Sequence, residues 1–506
     1  MKILLIEHPR DFKPERCNDI ANTPLSSCLV SGYAAGMLQS RGHEVEIVEG
    51  YLEKLQYSDI LAIAVSFRPD IVGVHMVYQW GRDIKLSGFL LSMKDSGLCR
   101  HITAYGFYPT VAFRSVLNNF SALDSIVLGE PENPFAELAE TVSSGKSVAG
   151  IAGVAVRSGD GEVLYNRPDV PQNPDTLPFP VRTEALYRLN EVNLLGSRGC
   201  YGSCTFCYIN KYYGGAQRWR GRGPENITGE INEIIAETGK REFYFTDPNF
   251  FGPGRHGQER ALRLASLLKP LKIKFGIEGR VNDIHDKTIE ALVDAGLRNI
   301  LIGLESGRNE SLRRMNKMTT VEQNEQALRT LRKHGIEPNV GFIMFEPDSS
   351  LEDVRTNFEF LKRNNLLNNL PVTANVLYHH QIILEGTQAY SELAGGGRLN
   401  LLNDTGYEGS AYFKAGSVSC LSGIMRRITN HLFQKMDGVW SGRVIAPPDS
   451  GRLYEDVNNL LVRTFDDALC GLEAEGTFSA VQEDEIVERT NRQISEMLAV
   501  RIKKQE

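Results

Sequence analysis

The sequence is poor in cysteine and tryptophan, with eight and three of each in 506 residues. So few cysteines in so long a chain exclude a disulfide scaffold and fit a reducing compartment, where cysteine serves metals or packing. No apolar run reaches the roughly 20 residues of a membrane-spanning helix. The N-terminus lacks a signal-peptide pattern, so a cytoplasmic location is expected. Basic residues are not in excess: 56 Lys and Arg stand against 63 Asp and Glu, a formal charge of −7, which leaves no footprint for nucleic acid. No G-x-G-x-x-G follows the first strand, which disfavours a dinucleotide site. Otherwise the composition is that of an ordinary globular protein, long enough for roughly two to four domains and a large core.

What is present centres on Gly199-Cys200-Tyr201-Gly202-Ser203-Cys204-Thr205-Phe206-Cys207-Tyr208. Cys200, Cys204 and Cys207 stand at C-x3-C-x2-C spacing just after the apolar run 192–195. Three thiolates so spaced can hold one [4Fe–4S] cluster and leave one iron open for another ligand, which suits chemistry rather than storage. The alternatives are three unrelated core cysteines, or a structural zinc, which wants a fourth Cys or His nearby. The next His is His256 and the next Cys is Cys420. Cys17, Cys28, Cys99, Cys420 and Cys470 show no ligand spacing and read as packing residues.

Short apolar runs alternate with helical patterns at both ends of this motif, the signature of parallel α/β sheets. Residues 2–7, 45–48, 70–75, 102–105 and 123–128 read as strands. Helices fall near 24–42, 59–67, 83–96 and 134–142, giving a doubly wound domain over 1–149. Residues 150–166 read as a hairpin turning at Ser158-Gly159-Asp160-Gly161, and residues up to 189 as a linker. From 190 to 387, strands at 192–195, 243–247, 274–278, 299–303, 337–344 and 373–377 alternate with six helices, which predicts a partial (β/α)6 barrel whose site lies at the C-terminal strand ends. Residues 388–506 read as mostly helical, at 418–436, 451–472 and 483–503, with loop over 400–410.

The cysteine motif, with Phe206 before its last Cys and Tyr208 after it, resembles that of radical S-adenosylmethionine (SAM) enzymes. The resemblance implies that SAM chelates the open iron and is cleaved to a 5′-deoxyadenosyl radical. It places Phe206, Tyr208, Asp247, Arg280, Glu305, Ser306 and Ile343 around SAM. Arg280 is the partner for its carboxylate, because a guanidinium forks onto carboxylates. Phe345 stands where relatives have Gly, and Glu385 where they have Pro. Three N-terminal segments (24–45, 69–74 and 126–132) resemble the cobalamin-binding domain that precedes many such cores. That implies contacts from Pro24, Leu25, Ser26, His75, Gln79, Gly106, Tyr108 and Glu130. The D-x-H-x-x-G motif that supplies a cobalt ligand in many cobalamin proteins is absent. His75 lies at a strand end and reads either as facing cobalt or as a structural residue. The same sequence is compatible with a flavodoxin-like domain that binds nothing.

The basic and aromatic stretch 211–222 reads as contacts between domains or to cofactor. The whole pattern is similar to cobalamin-dependent radical SAM methyltransferases, which use methylcobalamin and a substrate radical to methylate an unactivated carbon, or less often phosphorus, of a small molecule. Flavodoxin or ferredoxin is the implied electron donor. Two alternatives share the layout: oxidative rearrangement, ring contraction or cyclisation without methyl transfer, and a non-catalytic cobalamin or redox sensor. By resemblance, residues 388–506 cover the barrel mouth and help select substrate.

Overall fold

The computed structural model describes residues 1–9, 29–76, 84–167, 173–215, 219–401, 408–440 and 450–502. The N-terminal unit runs β1 (Lys2–Glu7), α1 (Leu29–Ser40), β2 (Glu44–Glu49), α2 (Tyr57–Phe67), β3 (Ile71–His75), α3 (Ile84–Asp95), β4 (His101–Tyr105), α4 (Phe107–Val111), α5 (Phe113–Asn119), β5 (Ser125–Val127) and α6 (Glu132–Ser143). Its five strands are parallel, in the order β2-β1-β3-β4-β5. Successive side chains of a strand point to opposite faces, and here each face has its own core. Leu4, Ile6, Val72 and Val74 join one cluster, while Ile3, Leu5 and Ile71 join the other. Both faces are covered by helices, as a parallel sheet requires.

The hairpin read over 150–166 extends this sheet. Its strand β6 (Val154–Arg157) pairs antiparallel with β5, and β7 (Val163–Tyr165) antiparallel with β6, making seven strands. The Arg157 guanidinium bonds the carbonyls of Ser121 and Leu123, pinning the hairpin to the α5–β5 connection.

After α7 (Glu184–Tyr187), the barrel begins with β8 (Val192–Leu194), followed by β9 (Ser197–Arg198), α8 (Ile209–Tyr212), β10 (Arg220–Gly221), α9 (Pro224–Thr238), β11 (Glu242–Phe245), α10 (Gly254–Leu268), β12 (Lys274–Arg280), α11 (Asp286–Ala295), β13 (Leu297–Glu305), α12 (Asn309–Arg314), α13 (Val321–Lys333), β14 (Asn339–Phe342) and α14 (Leu351–Arg363). Five parallel strands form the barrel sheet in the order β8-β11-β12-β13-β14.

The sixth strand expected at 373–377 is a helix, α15 (Leu370–Tyr378). The Asn369 side chain caps its N-terminus and Pro371 sits in its first turn, two signals for a helix start. Its apolar run is short and carries Val372, Thr373 and Val376, so periodicity alone does not separate helix from strand. The sixth place in the barrel shrinks to one parallel bridge between Phe345 and His380.

The chain then runs through β15 (Ile383–Leu384), α16 (Gln388–Gly395), β16 (Leu399–Leu401) and β17 (Glu408–Ala411). The three strands form a small antiparallel sheet, part of it in a stretch expected to be loop. Three long helices follow, α17 (Gly416–Trp440), α18 (Ser450–Glu475) and α19 (Ala480–Ile502). They share the barrel's hydrophobic core. Phe465 of α18 packs on Phe358 of α14 and on Phe345 beyond β14, so the bundle closes the flank left by the missing strand. Among the described residues no helix is long and apolar enough to cross a membrane.

Candidate functional site

The cysteine loop leaves the barrel through β9, which pairs with β10. Gly199 turns with φ +77°. Thr205 N–H donates to the Met315 carbonyl (3.0 Å), Ala389 N–H to the Thr205 carbonyl (3.0 Å) and Asn210 to the Gly202 carbonyl (2.6 Å). The loop is thus held from three sides. Cys200, Cys204 and Cys207 are free thiols, all half-buried. Two of them already receive donors: Gly202 N–H reaches Cys200 Sγ at 3.3 Å, and Arg280 Nη1 reaches Cys204 Sγ at 3.6 Å.

Burial pushes the Cys207 thiol up to about 12, and the neighbouring Cys204 and Cys200 add to the rise. Burial also raises Cys200, while Arg280 and Lys317 pull it back. Burial and mutual proximity oppose ionisation of these thiols; iron bound there would displace their protons, and Arg280 and Lys317 would offset the charge of the resulting thiolates. Three thiols without a fourth Cys or His close by in the chain suit a [4Fe–4S] cluster with one open iron better than a structural zinc, which takes four ligands.

Arg280 ends β12, as expected of a residue at the barrel mouth. Its Nη2 donates to the Lys317 carbonyl, and its guanidinium lies 5.4 Å over the Tyr201 ring. Gly202 is required by this approach: a Cβ there would sit 2.4 Å from Arg280 Nη1. Lys317 is the principal residue that sequence reasoning missed. It lies buried between α12 and α13, and its Nζ bonds Glu305 Oε1 at 2.7 Å. Glu305 takes φ +61° at a register shift in β13, which folds its carboxylate back over Gly303. Asn316 and Met318 flank Lys317, both with positive φ. Such strain marks a position that the surroundings over-determine. A lone lysine in a helix–helix connection has no periodic signal in sequence.

The other expected SAM residues divide. Asp247, at the end of β11, accepts from Gly196 N–H at 2.6 Å, and its second oxygen is buried without a partner. Burial raises its carboxyl to about 6, against the pull of Arg260. Ile343 N–H bonds the Glu305 carbonyl at 2.8 Å, which brings Ile343 to the mouth. Phe206 is half-buried in the loop. Ser306 is turned away, its hydroxyl donating to Asn357 at 2.7 Å in a fully buried network behind the strand.

In the N-terminal unit, Pro24, Leu25, Ser26 and Gln79 lie outside the described residues. His75 ends β3, buried, with Nδ1 2.9 Å from Glu7 Oε2. Glu7 Oε1 accepts from Ser31 Oγ at 2.5 Å, and Ser31 lies 2.6 Å from the Tyr105 hydroxyl. A buried polar chain therefore crosses the C-terminal ends of β1, β3 and β4, where ligands of parallel sheets bind. Gly106, with φ +112°, caps the fully buried α4 residue Tyr108. Next to it, the Phe107 ring packs on Tyr208 at 5.1 Å and on Tyr212 at 4.2 Å. This strand edge thus adjoins the cysteine loop.

Glu130 also sits at this edge, but its carboxylate is engaged by Arg198 and Arg220. Glu132 joins Arg198 at 2.6 Å, and the Arg198 guanidinium stacks 4.6 Å from the Tyr33 ring. Arg222 reaches the Tyr33 hydroxyl and Glu230. The basic and aromatic stretch thus serves contact between the domains. The spare cysteines also divide. Cys420 is buried and Cys99 half-buried, but Cys470 is exposed and bonded by Arg355 rather than packed. Cys17 and Cys28 lie outside the described residues.

Residues 194–361 match the Radical SAM superfamily. The chain therefore carries a radical SAM domain, whose cofactors are a [4Fe–4S] cluster and SAM. An uncharacterized methyltransferase of Pyrococcus horikoshii is 29% identical over 381 residues, covering 72% of this chain and 78% of that protein. The cytidylyl-2-hydroxyethylphosphonate methyltransferase of Streptomyces wedmorensis is 23% identical over 390 residues, 65% of this chain and 72% of its own. The solved structure of the cobalamin-dependent radical enzyme OxsB, with aqua-cobalamin and SAM bound, aligns with TM-score 0.80 at 19% identity, covering 99% of this chain and 80% of that one. The whole-chain fold is thus that of a cobalamin-dependent radical SAM enzyme.

Proposed function

We propose that this chain is a cobalamin-dependent radical SAM methyltransferase acting on an unactivated carbon, or on phosphorus, of a small molecule. The observation that carries the reading is the meeting of two sites at one place. The C-terminal edge of the first sheet, through Phe107, packs directly against the loop that bears the three cysteines. The residues present fit both cofactors. Cys200, Cys204 and Cys207 would hold the cluster, while Arg280, Lys317 and Asp247 would meet the charged ends of SAM. The loops after β3 and β4, around His75 and Gly106, would bound the corrinoid. When bound, cluster-linked SAM supplies a hydrogen-abstracting radical and the corrinoid supplies a methyl carrier.

The chain's own contribution is position and exclusion. Arg280 and Lys317 set a fixed positive charge beside the thiols and spare the site that reorganisation. Tyr208 and Phe107 seal the junction with apolar surface, which keeps water from a reactive centre. Glu7 fixes the tautomer and ring plane of His75. No side chain is needed as a general base for hydrogen abstraction. Flavodoxin or ferredoxin is the fitting electron donor.

A second reading, rearrangement or ring contraction without methyl transfer, draws support from the near-complete overlay on OxsB, a cobalamin-dependent radical enzyme not named as a methyltransferase. A single turnover separates the two. Reconstituted, reduced protein supplied with cobalamin and SAM is expected to release about one equivalent of S-adenosylhomocysteine per chain, since one methyl carrier is bound. Release of 5′-deoxyadenosine alone would support the second reading.

A further inference from the structure

The barrel strands bury one face and leave the other half-open. Phe243 and Phe245, Phe275 and Ile277, Ile300 and Ile302 all enter the core. Because side chains alternate along a strand, the residues between them face the lumen. These include Asn193, Tyr244, Glu278 and Leu301, each half-buried. Gly276 lies one layer below Glu278, and Gly303 one layer above it, level with Arg280. The Tyr244 ring fills the place where a Cβ on Gly276 would sit, and the Tyr244 hydroxyl donates to Glu278 Oε1 at 3.3 Å.

The lumen is layered by charge. Two cations, Arg280 and Lys317, lie at the mouth, and both are committed: Arg280 to Cys204 and the Lys317 carbonyl, Lys317 to Glu305. One layer deeper stands Glu278, two residues before Arg280 on β12. Among the described residues no cation pairs with it; its one side-chain partner is a neutral phenol. A carboxylate removed from water without a counter-charge is costly. A phosphate or carboxylate entering at this depth would meet only a like charge.

We propose that the barrel lumen recognises a positively charged amino group of the substrate, with Glu278 as its counter-charge and Tyr244 aiming the carboxylate. The inference rests on the reading of this chain as a radical SAM enzyme that admits a small molecule to its barrel. Burial pushes the Glu278 carboxyl up to about 8, with nearby Asp247 adding and the Tyr244 hydrogen bond opposing. Among the described residues the other charged groups around the lumen are Arg280, Lys317 and Glu305 at its mouth and Glu191 near Tyr244. An ammonium group at Glu278 favours the carboxylate and releases a proton, so it binds more tightly as the pH rises toward 8.

The test reads Glu278 directly, in full-length, cluster-reconstituted and oxidised protein with 13C-labelled glutamate carboxyls. Glu278→Gln assigns the resonance by its loss. Putrescine, agmatine and tyramine serve as cationic probes, with acetate and inorganic phosphate as anionic ones. At least one amine is expected to lower the Glu278 midpoint from about 8 to about 7 or below, as an adjacent opposite charge does. The anions should leave it in place, and the heat of amine binding should vanish in Glu278→Gln. A midpoint unmoved by all three amines, or moved equally by phosphate, overturns the proposal. The readout needs no methyl transfer. Release of S-adenosylhomocysteine with a silent Glu278 therefore refutes the amine inference alone. A responsive Glu278 without S-adenosylhomocysteine supports it and refutes methyl transfer alone.

Discussion

Arg198→Met tests the junction on which the two-cofactor geometry depends. Arg198 lies two residues before Cys200 and is almost wholly buried. It holds Glu130 at 2.5 Å and Glu132 at 2.6 Å, both likewise buried. Methionine preserves much of the volume but removes the charge. Glu130 would keep Arg220. Glu132 would be left with no cation, and one of its oxygens already lacks a partner. Removing one member of a buried ion pair costs about 3–5 kcal/mol because the other charge stays desolvated. At 1.36 kcal/mol per tenfold, the low end is roughly a hundredfold in the ratio of docked to undocked domains. The assay is urea unfolding followed by limited proteolysis, with Glu132→Gln and the double variant closing a cycle. The double variant is expected to recover roughly 2 kcal/mol of the loss, since no charge is then stranded. If Arg198→Met lies within about 0.5 kcal/mol of wild type, the scale of an ordinary surface change, the junction does not depend on this pair.

Other substitutions probe the site itself. Gly202→Ala should displace Arg280, because the added Cβ has 2.4 Å to its Nη1; SAM affinity measured by calorimetry should fall roughly tenfold or more, with iron content little changed. Lys317→Met strands Glu305 and should weaken SAM binding and lower stability by about 3 kcal/mol, while Lys317→Arg restores part of both. The raised carboxyl of Glu278 makes folding less favourable once it ionises. Wild type is therefore unpenalised below the unfolded value near 4.5 and loses stability as pH rises toward about 8. Glu278→Gln should gain on wild type by at most ~1.4 kcal/mol per pH unit over that window and stay level beyond it, as read from urea midpoints at three pH values.

Much of this architecture was legible because the strands are short apolar runs, buried on both faces in the first sheet and on one face in the barrel. The helices between them end at clear stops, such as Gly42 and Gly239 with positive φ. The cysteine trio stood out by its spacing, and the flanking residues that resemble radical SAM enzymes gave that spacing its meaning. Arg280 ends β12 and Asp247 follows β11, at the strand ends where the resemblance put them. The failures have physical causes. The helix 370–378 is short and rich in β-branched residues, which concealed its period. Ser306 neighbours a site residue in sequence, but the turn after β13 sends its side chain to Asn357. Lys317 and Arg198 act through partners far away in the chain, which local pattern cannot reveal. Glu130 occupies the expected edge, yet the guanidinium that claims it comes from the other domain.

The central claim is that one chain holds a cluster and a corrinoid face to face, and counting both in one sample tests it most directly. Protein purified without oxygen, reconstituted with iron and sulfide and supplied with hydroxocobalamin, is predicted to carry about four irons and about one tightly bound corrinoid per chain. Cys200→Ala should lose the iron and keep the corrinoid. Four irons with no corrinoid would contradict the account and leave a radical SAM domain whose first sheet serves another purpose.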